Sequence, residues 1–299
     1  MSEPPESLAG VSDIDYTDTR ALVTGSTSGI GRETALALGR LGATVFVHGR
    51  DADAGRTVVD ELAASGAEGR FIEADYADTA AVRDLAETVR AETSGLDVLI
   101  NNAGGLVRDG RLTNRGIEYT FQVNHLGPYL LTAELVDHLE PGARVVTTAS
   151  AAHQGATLNV ERVTRPDGGL SAYSHAKLAN VLFARELARR LQRTGRSVTS
   201  NSVHPGAIPG SGFTRFLPGP ISALAGVLEG VPGITSVADG AAALLFAACA
   251  PRLDDVSGRY FTGQRPATPA DAATDDEAAR KLWERSAELV DIEEPLADS

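Results

Sequence analysis

Residues 21–38, ALVTGSTSGIGRETALAL, run from a short apolar stretch through a glycine-rich turn into a segment with helical periodicity. No other stretch constrains the fold as much. A buried strand feeding a tight turn and then a helix lets the backbone approach a pyrophosphate closely and places the phosphate charge at the helix N-terminus. Gly25, Gly29 and Gly31 allow both the turn and the close approach. Glycine turns also serve to pack strand on helix, but the strand before this one and the helix after it favour dinucleotide binding.

The rest of the chain continues the alternation. Strand-like runs at 21–24, 44–48, 69–73, 97–101, 144–148, 197–203 and 258–262 are separated by helical patterns at 31–41, 53–64, 79–93 and 172–192. This predicts a doubly wound, mostly parallel seven-stranded sheet, a Rossmann fold, with helices on both faces. The length of 299 residues and 42% apolar content suit a single α/β domain over residues 19–290. Residues 1–18 read as a flexible acidic lead-in, 206–233 as a Gly- and Pro-rich mobile lid over the substrate, and 291–299 as a frayed acidic tail.

Forty Asp and Glu against 27 Lys and Arg leave a net charge of -13, which argues against nucleic acid and anionic membrane surfaces as partners. Acidity together with scarce lysine suits a salt-adapted, halophilic organism or a high-GC genome, and the sequence leaves both open. Only Lys177 and Lys281 are lysines, so 25 of the 27 basic residues are arginine. A lysine retained in such a chain raises the question of whether its chemistry requires an ammonium. The single Cys249 excludes an internal disulfide framework. The first eighteen residues lack the basic and apolar regions of a secretory signal, and no apolar run reaches membrane-spanning length. A soluble, cytoplasmic protein is expected.

The TGxxxGxG spacing resembles that of the short-chain dehydrogenase/reductase family. NNAG at Asn101–Gly104 and Tyr173-Ser-His-Ala-Lys177, a YxxxK motif, follow in the family's order. NHLGPYLLT from Asn124, AYSHAKLANVLFARELARRL from Ala172, HPG from His204 and SGRYF from Ser257 resemble the retinol-dehydrogenase-like branch. The resemblance runs from about Arg20 to Val290. It implies a nicotinamide cofactor held by Gly25, Ser26, Ser28, Gly29, Ile30, Gly31, Asp75, Asn102, Ala103, Gly104, Lys177, Pro205, Gly206 and Ile208, with Asp75 on the adenine side. Where the family's NAD-selecting acidic residue ends the second strand, this chain has Gly49 followed by Arg50. A guanidinium binds a 2′-phosphate that a carboxylate would repel, so NADP(H) is expected over NAD(H).

Tyr173 and Lys177 lie one helical turn apart on one face. Lowering a tyrosine from a pKa of about 10 by roughly three units takes about 4 kcal/mol. One cation at about 4 Å with an effective dielectric near 20 supplies that amount. Tyr173 can then act as general acid in carbonyl reduction and as base in alcohol oxidation. The resemblance adds Lys177 on the nicotinamide ribose and Ser150 on the substrate carbonyl. It also assigns Asn124 to a water linking Lys177 to solvent, and treats Asn101 as a backbone brace. The six histidines show no metal-ligand spacing, His153 and His204 read as packing near strand ends, and no metal is expected. GxSxG is absent, which disfavours a hydrolase.

Two stretches depart from the branch: residues 153–171 are shorter, and after Gly206 the chain reads AIPGSGFTRF, with Thr214 in place of a closer threonine. The apolar residues of the lid, Phe213, Phe216, Leu217, Ile221, Leu224 and Leu228, suit a lipophilic carbonyl or alcohol substrate. The reading is an NADP(H)-dependent oxidoreductase interconverting carbonyl and alcohol, with Tyr173, Lys177, Ser150 and Asn124 at its centre and a homodimer or homotetramer as family precedent. The competing readings are an NADP(H)-sensing module without turnover, a C=C reductase and, fitting less well, a nucleotide-sugar epimerase.

Overall fold

The computed structural model describes residues 3–206 and 235–297. Its strands are β1 (Arg20–Val23), β2 (Thr44–Gly49), β3 (Gly69–Glu73), β4 (Leu96–Asn101), β5 (Leu139–Thr148), β6 (Thr199–His204), β7 (Tyr260–Thr262) and β8 (Arg265–Pro266). They form one sheet in the order β3-β2-β1-β4-β5-β6-β7-β8. Every pairing is parallel except β7 with β8, where Gly263 at φ 56° starts a two-residue hairpin. The expected seven parallel strands are therefore present, and β8 adds an antiparallel edge of two residues, too short to leave a hydrophobic pattern in the sequence.

The helices among the described residues are α1 (Pro5–Leu8), α2 (Gly29–Arg40), α3 (Ala52–Ala64), α4 (Thr79–Glu92), α5 (Tyr119–Phe121), α6 (Gly127–Leu135), α7 (Gly169–Arg193), α8 (Val237–Cys249) and α9 (Asp276–Val290). The central strands are buried on both faces, which is why ALV, VFV and VLI read as unbroken apolar runs. One core packs Leu22, Leu99 and Val145 against α4, α6, α7 and α9. The other packs Val23, Val45 and Ile100 against α2, α3 and α8. The chain reverses direction between β3 and β4, so β1 and β4 lie side by side and open a crevice at their carboxyl ends.

Both termini depart from expectation. Residues 3–18 form α1 and a strap against α2 and α8, with Ala9 and Val11 buried and Tyr16 Oη donating to Ala248 O at 3.2 Å. Glu6 meets Arg40 in a two-pronged ion pair of 2.6 and 2.8 Å, so an acidic residue of the supposed lead-in is buried and paired. At the other end, Arg190 Nη2 lies 2.6 Å from Glu294, and Trp283 Nε1 donates to Pro295 O. The tail is anchored on α7 and α9 up to the last described residues. Charge count alone suggested solvated ends because it does not show which acids have a guanidinium facing them. The expected lid, with Ile208 and Thr214, lies outside the described residues apart from Gly206.

Candidate active site

The glycine turn joins β1 to α2 over the crevice. Gly25 has φ 63°, and a Cβ there would come within 2.8 Å of Ala103 Cα. A Cβ on Gly31 would sit 2.3 Å from Gly25 O and 2.6 Å from Asn102 Nδ2. Gly29, at φ 58°, has nothing within 4 Å of its Cβ direction and borders open space. Ser28 is exposed and begins α2 without any side-chain cap bond, which leaves both its hydroxyl and the first N–H groups of the helix to an anion. Ile30 is half-buried beside them. These residues make a phosphate cradle of the kind a dinucleotide needs.

Ser26 does not join that cradle. Its hydroxyl donates to Val23 O at 2.6 Å and accepts from His48 N at 3.0 Å, while its own N–H donates to His48 O. Completely buried, its side chain braces the turn from beneath rather than facing the crevice. The sequence reading also missed His48. Gly25 N–H donates to His48 Nδ1 at 3.2 Å, so Nε2 carries the proton and donates to Ala74 O at 3.1 Å. Burial pulls its pKa down to about 4 and keeps the ring neutral in this double role. Its place at the penultimate position of β2 was the available signal.

At the far side of the crevice, Thr24 Oγ1 accepts from the N–H groups of Asn102 and Ala103, and Asn102 Nδ2 donates to Thr24 O at 3.0 Å. Gly104 has φ 153°, and its missing Cβ would sit 2.4 Å from Asn124 Oδ1. Asn101, expected to brace backbone between strands, instead donates from its side chain to the Thr132 hydroxyl on α6. Gly49 ends β2 against Thr27, whose Cγ2 would lie 2.4 Å from an added Cβ, so a carboxylate could not enter without displacing it. Arg50 is 65% exposed, reaching Tyr119 Oη at 3.3 Å and Asp75 at 3.8 Å, and is therefore available to a ligand. Asp75 caps its own turn through Ala77 N–H.

The catalytic candidates meet where β5 ends beside α7. Lys177 Nζ is buried and donates to Thr148 O at 2.9 Å, a carbonyl that Asn180 Nδ2 also reaches at 3.2 Å. It lies 5.5 Å from the centre of the Tyr173 ring. Burial pulls Lys177 down to about 8. Burial also pushes the Tyr173 hydroxyl up, against a side-chain hydrogen bond from Ser150 that favours the phenolate. The direction is opposite to that expected from helical spacing alone. Spacing places the ammonium on the correct face, but tertiary packing aims it at Thr148 and desolvates both groups.

Ser150 caps the short turn after β5, accepting from Ala152 N–H at 3.2 Å, and also bonds Tyr173. Asn124 lies in a π-helical turn, Gln122–Leu126, between α5 and α6. Pro128 has no N–H for the carbonyl four residues back, which is that of Asn124. The Asn124 side chain is fully engaged: Oδ1 accepts from Gly105 N–H at 3.0 Å, and Nδ2 donates to Gly105 O and Thr120 O at 2.9 Å. Pro205 is buried after β6, and Gly206, at φ 112°, packs so closely on Thr235 that a Cβ would lie 2.3 Å from its Oγ1. Among the described residues no group of three or more His, Cys, Asp or Glu is placed to hold a metal, and no helix is long and apolar enough to cross a membrane.

The family model for short chain dehydrogenases matches residues 19–216. Human retinol dehydrogenase 13 is 36% identical over 293 residues, covering 92% of this chain and 85% of that protein. Mouse polyprenol dehydrogenase is 37% identical over 273 residues, covering 88% and 81%. Among solved structures, a short chain dehydrogenase from Burkholderia cenocepacia in complex with NADP superposes with a TM-score of 0.67 at 30% identity, covering 87% of this chain and 99% of that one.

Proposed function

The chain belongs to the short-chain dehydrogenase/reductase family, oxidoreductases that act on CH–OH groups with a nicotinamide cofactor, and from that premise we propose that it interconverts a lipophilic carbonyl and its alcohol using NADP(H). The carrying observation is the convergence of Tyr173, Ser150 and Lys177 at the carboxyl end of β5, beside the open phosphate cradle. NADPH, when bound, supplies the hydride. Gly25, Ser28, Gly29, Ile30 and Gly31 would hold its pyrophosphate, Asn102 to Gly104 the floor beneath it, and Lys177 the nicotinamide ribose.

The remaining work falls to side chains of this chain. Ser150 Oγ donates to the substrate oxygen and stabilises the charge that grows there. Tyr173, kept as the neutral phenol by burial, gives its proton to that oxygen in reduction. Lys177 places positive charge behind the phenol, so the phenolate left after transfer is not isolated in a desolvated site. Asn124 braces the loop at Gly105 and would hold the water through which Lys177 is resupplied with protons.

NADP(H) is supported by the lack of a carboxylate at Gly49 and by the exposed Arg50, and it agrees with the NADP named for the B. cenocepacia structure. Polyprenol and retinol in the names of relatives, with the apolar composition of residues 213–228, support a lipophilic substrate. One experiment tests the whole reading: NADPH consumption over a panel of long-chain and polyene aldehydes and ketones. Tyr173→Phe should bind NADPH normally and lose 10²-fold or more in kcat, on the order expected for a lost general acid. Arg50→Asp should lower the NADPH-to-NADH preference about tenfold or more, the scale of a charge-assisted bond. Retained turnover in the first variant rejects the mechanism, and an unchanged preference in the second rejects the cofactor assignment.

A further inference from the structure

We propose that His153 is a positioning residue for Ser150, tying the carbonyl-binding hydroxyl to the chain segment beyond the sheet's edge strand. The inference rests on the reading of Ser150 given above. His153 is fully buried in the turn that Ser150 begins. Ala270 N–H donates to its Nε2 at 3.1 Å, so the lone pair is on Nε2 and the proton on Nδ1. Nδ1–H therefore donates to Ser150 O, 2.7 Å away. The main-chain N–H of His153 reaches the same oxygen at 3.1 Å. The ring also stands edge-on to Tyr260 of β7, with centroids 5.0 Å apart, so neither its tilt nor its two nitrogens are free.

Two donors on one carbonyl fix the peptide plane after Ser150 and the turn that carries Ala152 N–H, the donor that orients Ser150 Oγ. Without the ring, Ser150 O keeps only the longer bond, and the turn can rotate about Ser150 ψ. A displacement of about 1 Å at a reacting centre costs on the order of 10²-fold in rate. A ring present only for packing would need no proton on Nδ1 and no acceptor for Ala270. A histidine near a strand end carries no such information in the sequence, because Ala270 lies 117 positions away.

Three substitutions separate the two nitrogens. In His153→Asn, Nδ2 stands where Nδ1 stood and can still donate to Ser150 O, while the link to Ala270 is lost. In His153→Gln, Oε1 can still accept from Ala270, while the Ser150 donor is lost. His153→Phe loses both and keeps the ring volume. Each is assayed with saturating NADPH on the panel carbonyl that the unaltered chain reduces fastest, with NADPH affinity by fluorescence titration as the control for folding.

Phe and Gln should lower kcat 10- to 100-fold with NADPH affinity within twofold, and Asn should recover at least tenfold over Phe. If Phe stays within threefold of the unaltered rate, or Gln matches or exceeds Asn, the proposal is overturned. If Phe does not fold, the comparison of Asn with Gln decides alone. Ser150→Ala keeps the two levels apart. A full rate in Ser150→Ala, or no carbonyl reduced at all, overturns the reading of the site and this inference with it. A lost rate in Ser150→Ala with a full rate in His153→Phe overturns only the inference.

Discussion

Lys177 is held with 3% exposure, its ammonium on one main-chain carbonyl, and burial draws its pKa from 10.5 to about 8. The folded pKa lies below the unfolded one. Below about pH 8 both states are protonated, and the cost of the buried charge is fully present. Between 8 and 10.5 the unfolded chain holds a proton that the folded chain has released, so stability rises with pH there. Lys177→Met should therefore be more stable than the unaltered protein at pH 7 by on the order of 3 kcal/mol, since each pKa unit is worth about 1.4 kcal/mol. Thr148 O keeps Asn180 as a partner in this variant. Activity should be lost, and the stability gap should narrow as pH rises from 8 towards 10. Thermal melts at pH 7 and 9.5 check this, and a variant no more stable at pH 7 would show that the buried charge costs the fold nothing.

At the scale of the element, the α2 turn separates glycines that look equivalent in sequence. Gly31 is required by packing, since an added Cβ would meet Gly25 O at 2.3 Å. Gly29 is required by its positive φ and by what is to lie over it, since its Cβ direction is empty. Gly31→Ala should destabilise the fold by about 1–3 kcal/mol, as overpacking does, and weaken NADPH binding as α2 shifts. Gly29→Ala should cost only about 1–2 kcal/mol, the penalty of a left-handed backbone, and still weaken NADPH binding at least tenfold. Melting curves and NADPH titrations on the pair check this. Equal binding by Gly29→Ala and the unaltered chain would remove the pyrophosphate from the open side of the turn. Periodicity made the strand, turn and helix legible here, but it could not distinguish two glycines that differ in what an added Cβ would meet, Gly25 O and Asn102 for one and open space for the other. The π-turn at Gln122–Leu126 was equally hidden, although Pro128 marks it once the helix is known.

Over the whole molecule, the strap of residues 3–18 covers the end of α2 that is farthest from the glycine turn. Arg40, which Glu6 holds, lies eleven residues and therefore about 16 Å along α2 from Gly29. Deleting residues 3–16 should lower the melting temperature by several degrees, by uncovering the apolar face of α8 that Ala9 and Val11 cover. It should leave kcat at 25 °C within twofold. A matching loss of kcat well below the new melting temperature would place the strap in the function of the site rather than in stability.

The sequence by itself determined the doubly wound sheet, the glycine turn and the one-turn spacing of Tyr173 and Lys177 on one helix. Those features rest on local period, on backbone freedom and on one-turn spacing, all of which operate within a few residues. Only the tertiary structure decided how those side chains are aimed and charged. Lys177 meets Thr148 across 29 positions, and Ser26 and His48 meet across 22. Arg40 joins Glu6 across 34, and His153 joins Ala270 across 117. The physical reason is the same in each case. Burial and hydrogen-bond partnership belong to pairs brought together by the sheet, and the sheet order 3-2-1-4-5-6-7-8 places residues beside each other that the linear chain keeps apart.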